Sequence, residues 1–447
     1  MSSVQTAVPD GAIAIVGGGI GGVSLAIGLR HRALGPNAIS ALELLDPAAA
    51  EVFHKLATKN AFSSEEATWI NFRKGMGEAE LIAKVETKDE RQTGLSSIHR
   101  ARFLNALASL IPRDMVRFRK RLVKIQETEG KHVLLHFDDS SQVSAAYVVG
   151  CDGIRSCVRQ YVLGLENPLD NVTYTRKYVY RGLVPMKTAV ERLGAELASN
   201  SQMYLGPNGH VLTYPIDGGK TMNVVAFRDD LNNKSWSHAN WVLKHRGDNM
   251  RREFEGWGRP VTTIVKMLEQ PDQWALFNHE PAPCYQKGPV VLLGDAAHAT
   301  TPHQGAGAGQ AVEDALFLAE LLGKAKSHGW GFMNAFKVYD AVRRPRSQLV
   351  VATSRTAGDT YAMRGLAGSD SDLLQAELLH RFDWIWEYNI RGALDDAIAR
   401  LQGEAAGKPA IGLLRKLLKE LRMRLQTGLV SEDRRLFGGW SFSWHKS

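Results

Sequence analysis

Asp295 follows the apolar run Val290-Val291-Leu292-Leu293-Gly294 and opens a stretch suited to handling an anion. A carboxylate at a strand end can accept hydrogen bonds from a polyol. The loop beyond it, Pro302-His303-Gln304-Gly305-Ala306-Gly307-Ala308-Gly309, enters a helical pattern and would aim unpaired backbone N–H groups at developing negative charge. A second cradle lies near the start of the sequence, where Val16-Gly17-x-Gly19-x-x-Gly22 follows an apolar run at 12–16 and precedes a helical stretch at 23–30. There the first glycine permits a tight turn and the second lets backbone approach a pyrophosphate. The third lets helix pack closely on strand. A ligand-free glycine-rich turn is the plainer reading, but the strand–turn–helix context favours dinucleotide binding. A third motif, Gly150-Cys151-Asp152-Gly153-Ile154-Arg155-Ser156-x-Val158-Arg159, also follows a strand-like run. Taken alone it is an Asp-Gly turn capped by serine.

The elements that must position these groups sit in a chain of 447 residues, room for two or three domains, with 44 % apolar and 23 % charged residues. That composition excludes disorder as the dominant state. The net charge of +8 is dispersed, with no arginine-rich arm, so a phosphate-bearing cofactor explains it better than nucleic acid. Three cysteines, Cys151, Cys157 and Cys284, give neither a disulfide framework nor a zinc site, and a reducing, cytoplasmic setting is expected. Residues 1–10 lack signal-peptide character, and no apolar run reaches the ~20 residues of a transmembrane span. A soluble intracellular protein is the expectation.

Residues 132–149 read as a hairpin that turns at Asp138-Asp139-Ser140 and returns at 145–149. The β-rich runs 178–183, 210–214 and 222–227 suggest a sheet-based substrate domain. A helix is predicted over about 310–322, helical pattern dominates from 335, and Gly, Ala and Pro at 403–409 suggest a linker. Beyond it, 411–425 has a basic amphipathic pattern. Its leucine face is expected to pack on the body or on a partner subunit, giving a homodimer. Contact with a membrane surface is the other reading.

The three motifs in this order resemble the FAD-dependent aromatic hydroxylases, single-component flavoprotein monooxygenases that include p-hydroxybenzoate and salicylate hydroxylases. Within that group the sequence is similar to the salicylate hydroxylase-like enzymes of fungal aromatic and polyketide metabolism. Further matches are Ile98-His99-Arg100-Ala101-Arg102-Phe103-Leu104, Tyr178-Val179-Tyr180-Arg181-Gly182-Leu183-Val184-Pro185, Trp274-Ala275-Leu276-Phe277 and Tyr339-Asp340-Ala341-Val342-Arg343-Arg344-Pro345-Arg346. The resemblance implies an α/β fold in which a Rossmann-like FAD-binding domain (1–60, 95–165 and 284–345) interleaves with a mixed β-sheet substrate domain (61–94 and 166–283). C-terminal helices (346–402) and the tail (403–447) follow. It also implies that Gly17, Gly19 and Gly22 hold the FAD pyrophosphate and that Arg100 touches the ribityl–phosphate region. Asp152 and Gly153 would serve both FAD and NAD(P)H, and Asp295 the ribityl hydroxyls. Pro302, Gly305, Ala306, Gly307 and Ala308 would line the isoalloxazine. NADH or NADPH would reduce the flavin, and a flavin hydroperoxide formed with O2 would hydroxylate a phenolic substrate. Arg181 and Tyr214, expected on adjacent strands, match positions that hold a phenolate or carboxylate in related phenol-oxidising enzymes. His298 and His303 are expected to pair with backbone, and no metal is expected.

The sequence departs from that family after the first helix. Leu29-Arg30-His31-Arg32 runs directly into Ala33-Leu34-Gly35-Pro36, where a second parallel strand ending in a ribose-binding acid belongs. Glu43 lies ~20 residues past the fingerprint, but within a helical pattern. Roughly two dozen residues are missing by the usual βαβ length. The alternative function is therefore a non-catalytic or weakly FAD-binding variant. A halogenase is rejected, because Trp384-Ile385-Trp386 continues as Glu387-Tyr388 and lies too far along the chain.

Overall fold

The structure, a computed structural model, describes residues 5–7, 12–29, 37–88, 94–129, 132–167 and 170–407. The path that builds the site begins with strand β1 (Ile13–Val16), helix α1 (Ile20–Gly28) and helix α2 (Asn37–Leu45), and reaches strand β2 (Tyr147–Gly150). The chain then makes the long strands β3 (Val172–Pro185), β4 (Gly209–Ile216), β5 (Thr221–Asp229) and β6 (Asp272–His279). It returns as β7 (Val290–Leu292), the short helix α3 (Asp295–His298), and the long helices α4 (Gly307–His328) and α5 (Phe332–Tyr361).

Strands β7, β2 and β1 lie side by side and parallel, with Gln286–Lys287 antiparallel at the far edge of β7. Their unbroken apolar sequences suit burial on both faces, and Val148, Val149, Val290, Val291 and Leu292 are fully enclosed. Register fixes the functional edge. Val16 pairs with Gly150, and Leu292 pairs with the same Gly150, so all three strands end at one level. Each then enters a glycine-containing turn. Helix α4 packs against α1, α2 and α5 on one side of this sheet.

The second large sheet has eight strands, ordered Val242–Leu243, β6, β3, β5, β4, Gln202–Gly206, Thr68–Lys74 and Leu81–Glu86. Alternation divides its faces. Tyr180, Val184, Val211, Val224 and Ala226 point into a core completed by Val261, Ile264 and Val265 of the helix Arg259–Met267. The opposite parity, including His210, Leu212 and Tyr214 on β4, faces the other way.

Three expectations need correction. The hairpin returns at Gln142–Ala145, and the apolar stretch continues past a break into β2 of a different sheet. The proposed linker begins too early, because Gly403-Glu404-Ala405 is the last turn of the helix Ile390–Ala405. Arg181 and Tyr214 are not on adjacent strands, since β5 lies between β3 and β4. The predicted helix at 310–322 extends at both ends to 307–328, and the amphipathic tail lies outside the described residues.

Candidate active site

The shared strand edge collects the three motifs. At the first, Gly17 has φ +116, and a Cβ there would sit 2.2 Å from the Cys151 carbonyl oxygen. A Cβ on Gly22 would sit 2.1 Å from the Gly17 carbonyl oxygen, so turn and helix touch backbone to backbone. Gly18 and Gly19, by contrast, face open space within 4 Å. Gly19 caps α1 without a side chain and no acid occupies its first turn, which leaves backbone N–H groups aimed into that opening. This geometry fits a pyrophosphate such as that of FAD.

At the second motif the Asp152 carboxylate is spent locally. It accepts from the Ser156 hydroxyl and, at 3.2 Å, from the Val158 N–H. Burial raises its pKa against those hydrogen bonds. Ser156 caps the helix Cys157–Leu163 by accepting from the Arg159 N–H at 2.8 Å. Gly153, at φ +80, has open space where a Cβ would be. The buried Arg159 side chain donates to the carbonyls of Ala296 (3.1 Å), Ala297 (2.7 Å) and Glu280 (3.1 Å), tying this motif to α3.

At the third motif Asp295 is exposed at the start of α3, directly after β7. Pro302, Gly305 and Ala308 are exposed, Ala306 and Gly307 half-buried. Helix α4 starts at Gly307 with neither a side-chain cap nor an acid in its first turn. The packed helices α1 and α4 thus both begin without a side-chain cap, and Asp295 is exposed directly after the strand edge that α1 follows. That donor set fits the phosphates, the ribityl chain and an anionic reduced ring. Arg100 is exposed at the first residue of the helix Arg100–Ala108.

A buried ionic lattice holds this geometry, and sequence reading missed its role. Asp314 accepts from the Gly294 N–H (3.1 Å), His298 Nε2 (2.5 Å) and Arg343 Nε (2.8 Å). Glu313 accepts from Gln310 Nε2 (2.9 Å), Arg343 (2.7 Å) and both Nε and an Nη of Arg346 (2.8 and 2.9 Å). Burial pushes the Asp314 carboxyl up, but facing His298 and Arg343 hold it down at about 2. His298 therefore pairs with a carboxylate rather than with backbone. In the sequence the stretch Tyr339–Arg346 stands only as a match, because Arg343 and Arg346 find their carboxylates about 30 positions away.

His303 also departs from expectation. Neither ring nitrogen has a hydrogen-bond partner, and burial depresses its pKa to about 3. Its ring centroid lies 5.4 Å from that of His210 and 5.0 Å from that of Phe227. His210 stacks on Phe227 at 4.1 Å, and its two nitrogens are likewise unpaired. These residues belong to the sheet face that carries Arg181 and Tyr214. Across β3, β5 and β4 the rows are Val179–Phe227–His210, Arg181–Val225–Leu212 and Leu183–Asn223–Tyr214. Polar groups thus stand in both outer rows, and the middle row sets Arg181 beside the apolar Val225 and Leu212. Arg181 is exposed, with its guanidinium 5.6 Å from the Trp274 ring centre. Burial raises the Tyr214 pKa and the charge of Arg181 opposes the rise, so the two sense each other across β5. Among the described residues no cluster of three or more His, Cys, Asp or Glu could hold a metal ion, and no helix is long and apolar enough to cross a membrane.

The FAD binding domain family matches residues 41–354 of this chain. The chain is 40 % identical to 6-methylsalicylate 1-monooxygenase of Aspergillus terreus, over 86 % of its own length and 91 % of that enzyme. It is 34 % identical to a salicylate hydroxylase of Pseudomonas putida, covering 89 % and 97 % of the two chains. A solved salicylate hydroxylase substrate complex superposes with a TM-score of 0.79 at 34 % identity, over 90 % of this chain and 98 % of that one.

Proposed function

From the premise that this chain belongs to the FAD binding domain family and is an FAD-dependent monooxygenase with NAD(P)H as co-substrate, we propose that it hydroxylates a phenol of the salicylate type on the face of the eight-stranded sheet. The observation that carries the reading is the common termination of β1, β2 and β7 at Val16, Gly150 and Leu292. It brings three glycine turns to one cleft. Relatives with catalytic names at this coverage support an enzyme rather than a non-catalytic remnant.

Bound FAD would supply the redox chemistry, taking hydride from NADH or NADPH and activating dioxygen for transfer to the ring. The chain's own work is to bind, orient and exclude water. In this reading Gly17, Gly19 and Gly22 receive the pyrophosphate, and Arg100 approaches the ribityl–phosphate region. Asp152 and Gly153 shape the neighbouring wall, and Asp295 accepts from the ribityl hydroxyls. Pro302 and Gly305 line the isoalloxazine, and the uncapped backbone N–H groups of Ala306, Gly307 and Ala308 are the donors along it. Val179, Leu212 and Val225 offer an apolar bed for an aromatic ring. The Arg181 guanidinium favours the ionised phenol, whose carbon is more electron-rich, and the Tyr214 hydroxyl donates a hydrogen bond to orient it. His210 and His303 join the substrate end, because leaving four buried ring nitrogens unpaired costs about 1–3 kcal/mol per group unless a ligand uses them. The division into FAD-binding, substrate and C-terminal parts, a cytoplasmic location and a homodimer belong to the same reading.

The test is NAD(P)H oxidation by the FAD-loaded protein across a panel of phenols and salicylates, with product analysis. Stimulation by an ortho-hydroxybenzoate with a hydroxylated product is expected. No stimulation by any member would overturn the substrate class. Arg181→Ala should lower kcat/KM by about tenfold to a hundredfold, the weight of a charge-assisted hydrogen bond, with flavin still bound. Unchanged turnover would remove Arg181 from the site.

A further inference from the structure

We infer that this protein grips its flavin from the phosphates inward and does not read the adenosine, so that flavin mononucleotide is accepted almost as well as FAD. The inference rests on the flavin-site reading above. In a dinucleotide fold a second parallel strand flanks the first and ends in an acid that holds the adenosine ribose through its hydroxyl pair. Among the described residues no strand flanks β1, which is the edge of its sheet. The sequence explains why. Only the eight residues Leu29-Arg30-His31-Arg32-Ala33-Leu34-Gly35-Pro36 separate α1 from α2, and none of them is acidic.

The acids that follow are already committed. Glu43 lies on α2, with its carboxylate 3.5 Å from His54 Nε2. Asp46 caps the helix Pro47–Leu56 by accepting from the Ala48 N–H at 2.7 Å. No other Asp or Glu occurs between Gly22 and Glu51. Helix α2 packs on α1 and α4, and Gly28 meets Leu45 closely enough that a Cβ would lie 2.4 Å from its side chain. Among the described residues the element that follows α1 is therefore a helix of the same layer. The rest of the donor set is present, with open space at Gly18 and Gly19, uncapped starts of α1 and α4, and an exposed Asp295. FAD and FMN share everything those groups can touch except the second phosphate.

Flavin-free protein titrated with FAD, FMN and riboflavin, followed by quenching of flavin fluorescence, tests this without recourse to turnover. FMN should bind within about thirtyfold of FAD, a gap no larger than one charge-assisted hydrogen bond. Riboflavin, lacking the phosphate that α1 receives, should bind more weakly than FMN. A larger FMN deficit would overturn the inference while leaving the flavoprotein reading intact. Riboflavin binding as well as FMN would also overturn it, since the phosphate would then count for nothing. Failure of all three to bind would overturn the flavin site itself.

Discussion

Glu313→Ala is expected to lower the unfolding free energy by about 3–5 kcal/mol, the usual result of removing one partner from a buried ion network. Glu313 is enclosed and takes donors from Arg343, Arg346 and Gln310. Without it Arg346 keeps the Trp384 and Ile385 carbonyls (3.4 and 3.2 Å) and the faces of the Tyr388 and Trp384 rings, whose centres lie 3.7 and 5.8 Å away, but no carboxylate among the described residues. Arg343 keeps Asp314 but now shares a dry interior with a second cation that nothing neutralises. The consequence reaches the cleft. Arg343 and His298 meet at Asp314, and Asp314 holds the Gly294 N–H at the end of β7, so slackening between α4 and α5 frees the strand end beside Asp295. Urea unfolding read by fluorescence measures the loss. A change below about 1 kcal/mol would place the network among surface-like pairs of little weight.

That network shows where sequence reading reaches its limit. The glycine turns were legible because their constraint is local. A Cβ at Gly17 or Gly22 collides with nearby backbone whatever the rest of the chain does. Strands β1 and β7 were legible because doubly buried parallel strands are continuous apolar runs. Pairing across distance was not legible. Arg181 and Tyr214 were expected side by side, whereas β5, later in the chain than both, lies between their strands. The strand hidden in 145–149 was misassigned because an apolar run carries no mark of the point where it changes sheets. Gly403 suggested a linker, yet a helix interior tolerates one glycine at a cost of about 1 kcal/mol. His303 was expected to find a backbone partner because most buried polar groups do. Only the packing of Phe227, His210 and Tyr361 around it, with Gly358 so close that a Cβ would lie 2.5 Å from its Nε2, reveals that it has none.

Acid should unfold this protein early, and histidines set the onset. His303 and His279 both have pKa values of about 3, depressed by burial, and the His210 pKa is also well below the ordinary value. Their unfolded counterparts titrate near 6.5, so the unfolded chain binds more protons across the window from 6.5 down to about 3. Stability therefore falls as pH drops through that window and is unaffected by these groups above it. At pH 5 each depressed histidine costs about 2 kcal/mol, so His279 and His303 together remove about 4 kcal/mol, with His210 acting in the same direction. Below about pH 4 the unfolded chain also protonates carboxyls that the fold keeps ionised at Asp314 and Glu313, adding a second loss as pH falls further. His279 ties the onset to function, because its Nε2 donates to the Ile154 carbonyl at 2.9 Å while Nδ1 accepts from the Ala299 N–H at 3.4 Å. A second ring proton would set two donors face to face at the joint between the Asp152 turn and α3. Urea midpoints measured from pH 8 to pH 4 should stay level down to about 7 and then fall. In His279→Gln, whose amide can donate to one partner and accept from the other but does not titrate, the fall should be shallower by about 1.4 kcal/mol per pH unit. An unchanged slope in that variant would show that His279 is not held neutral by its surroundings.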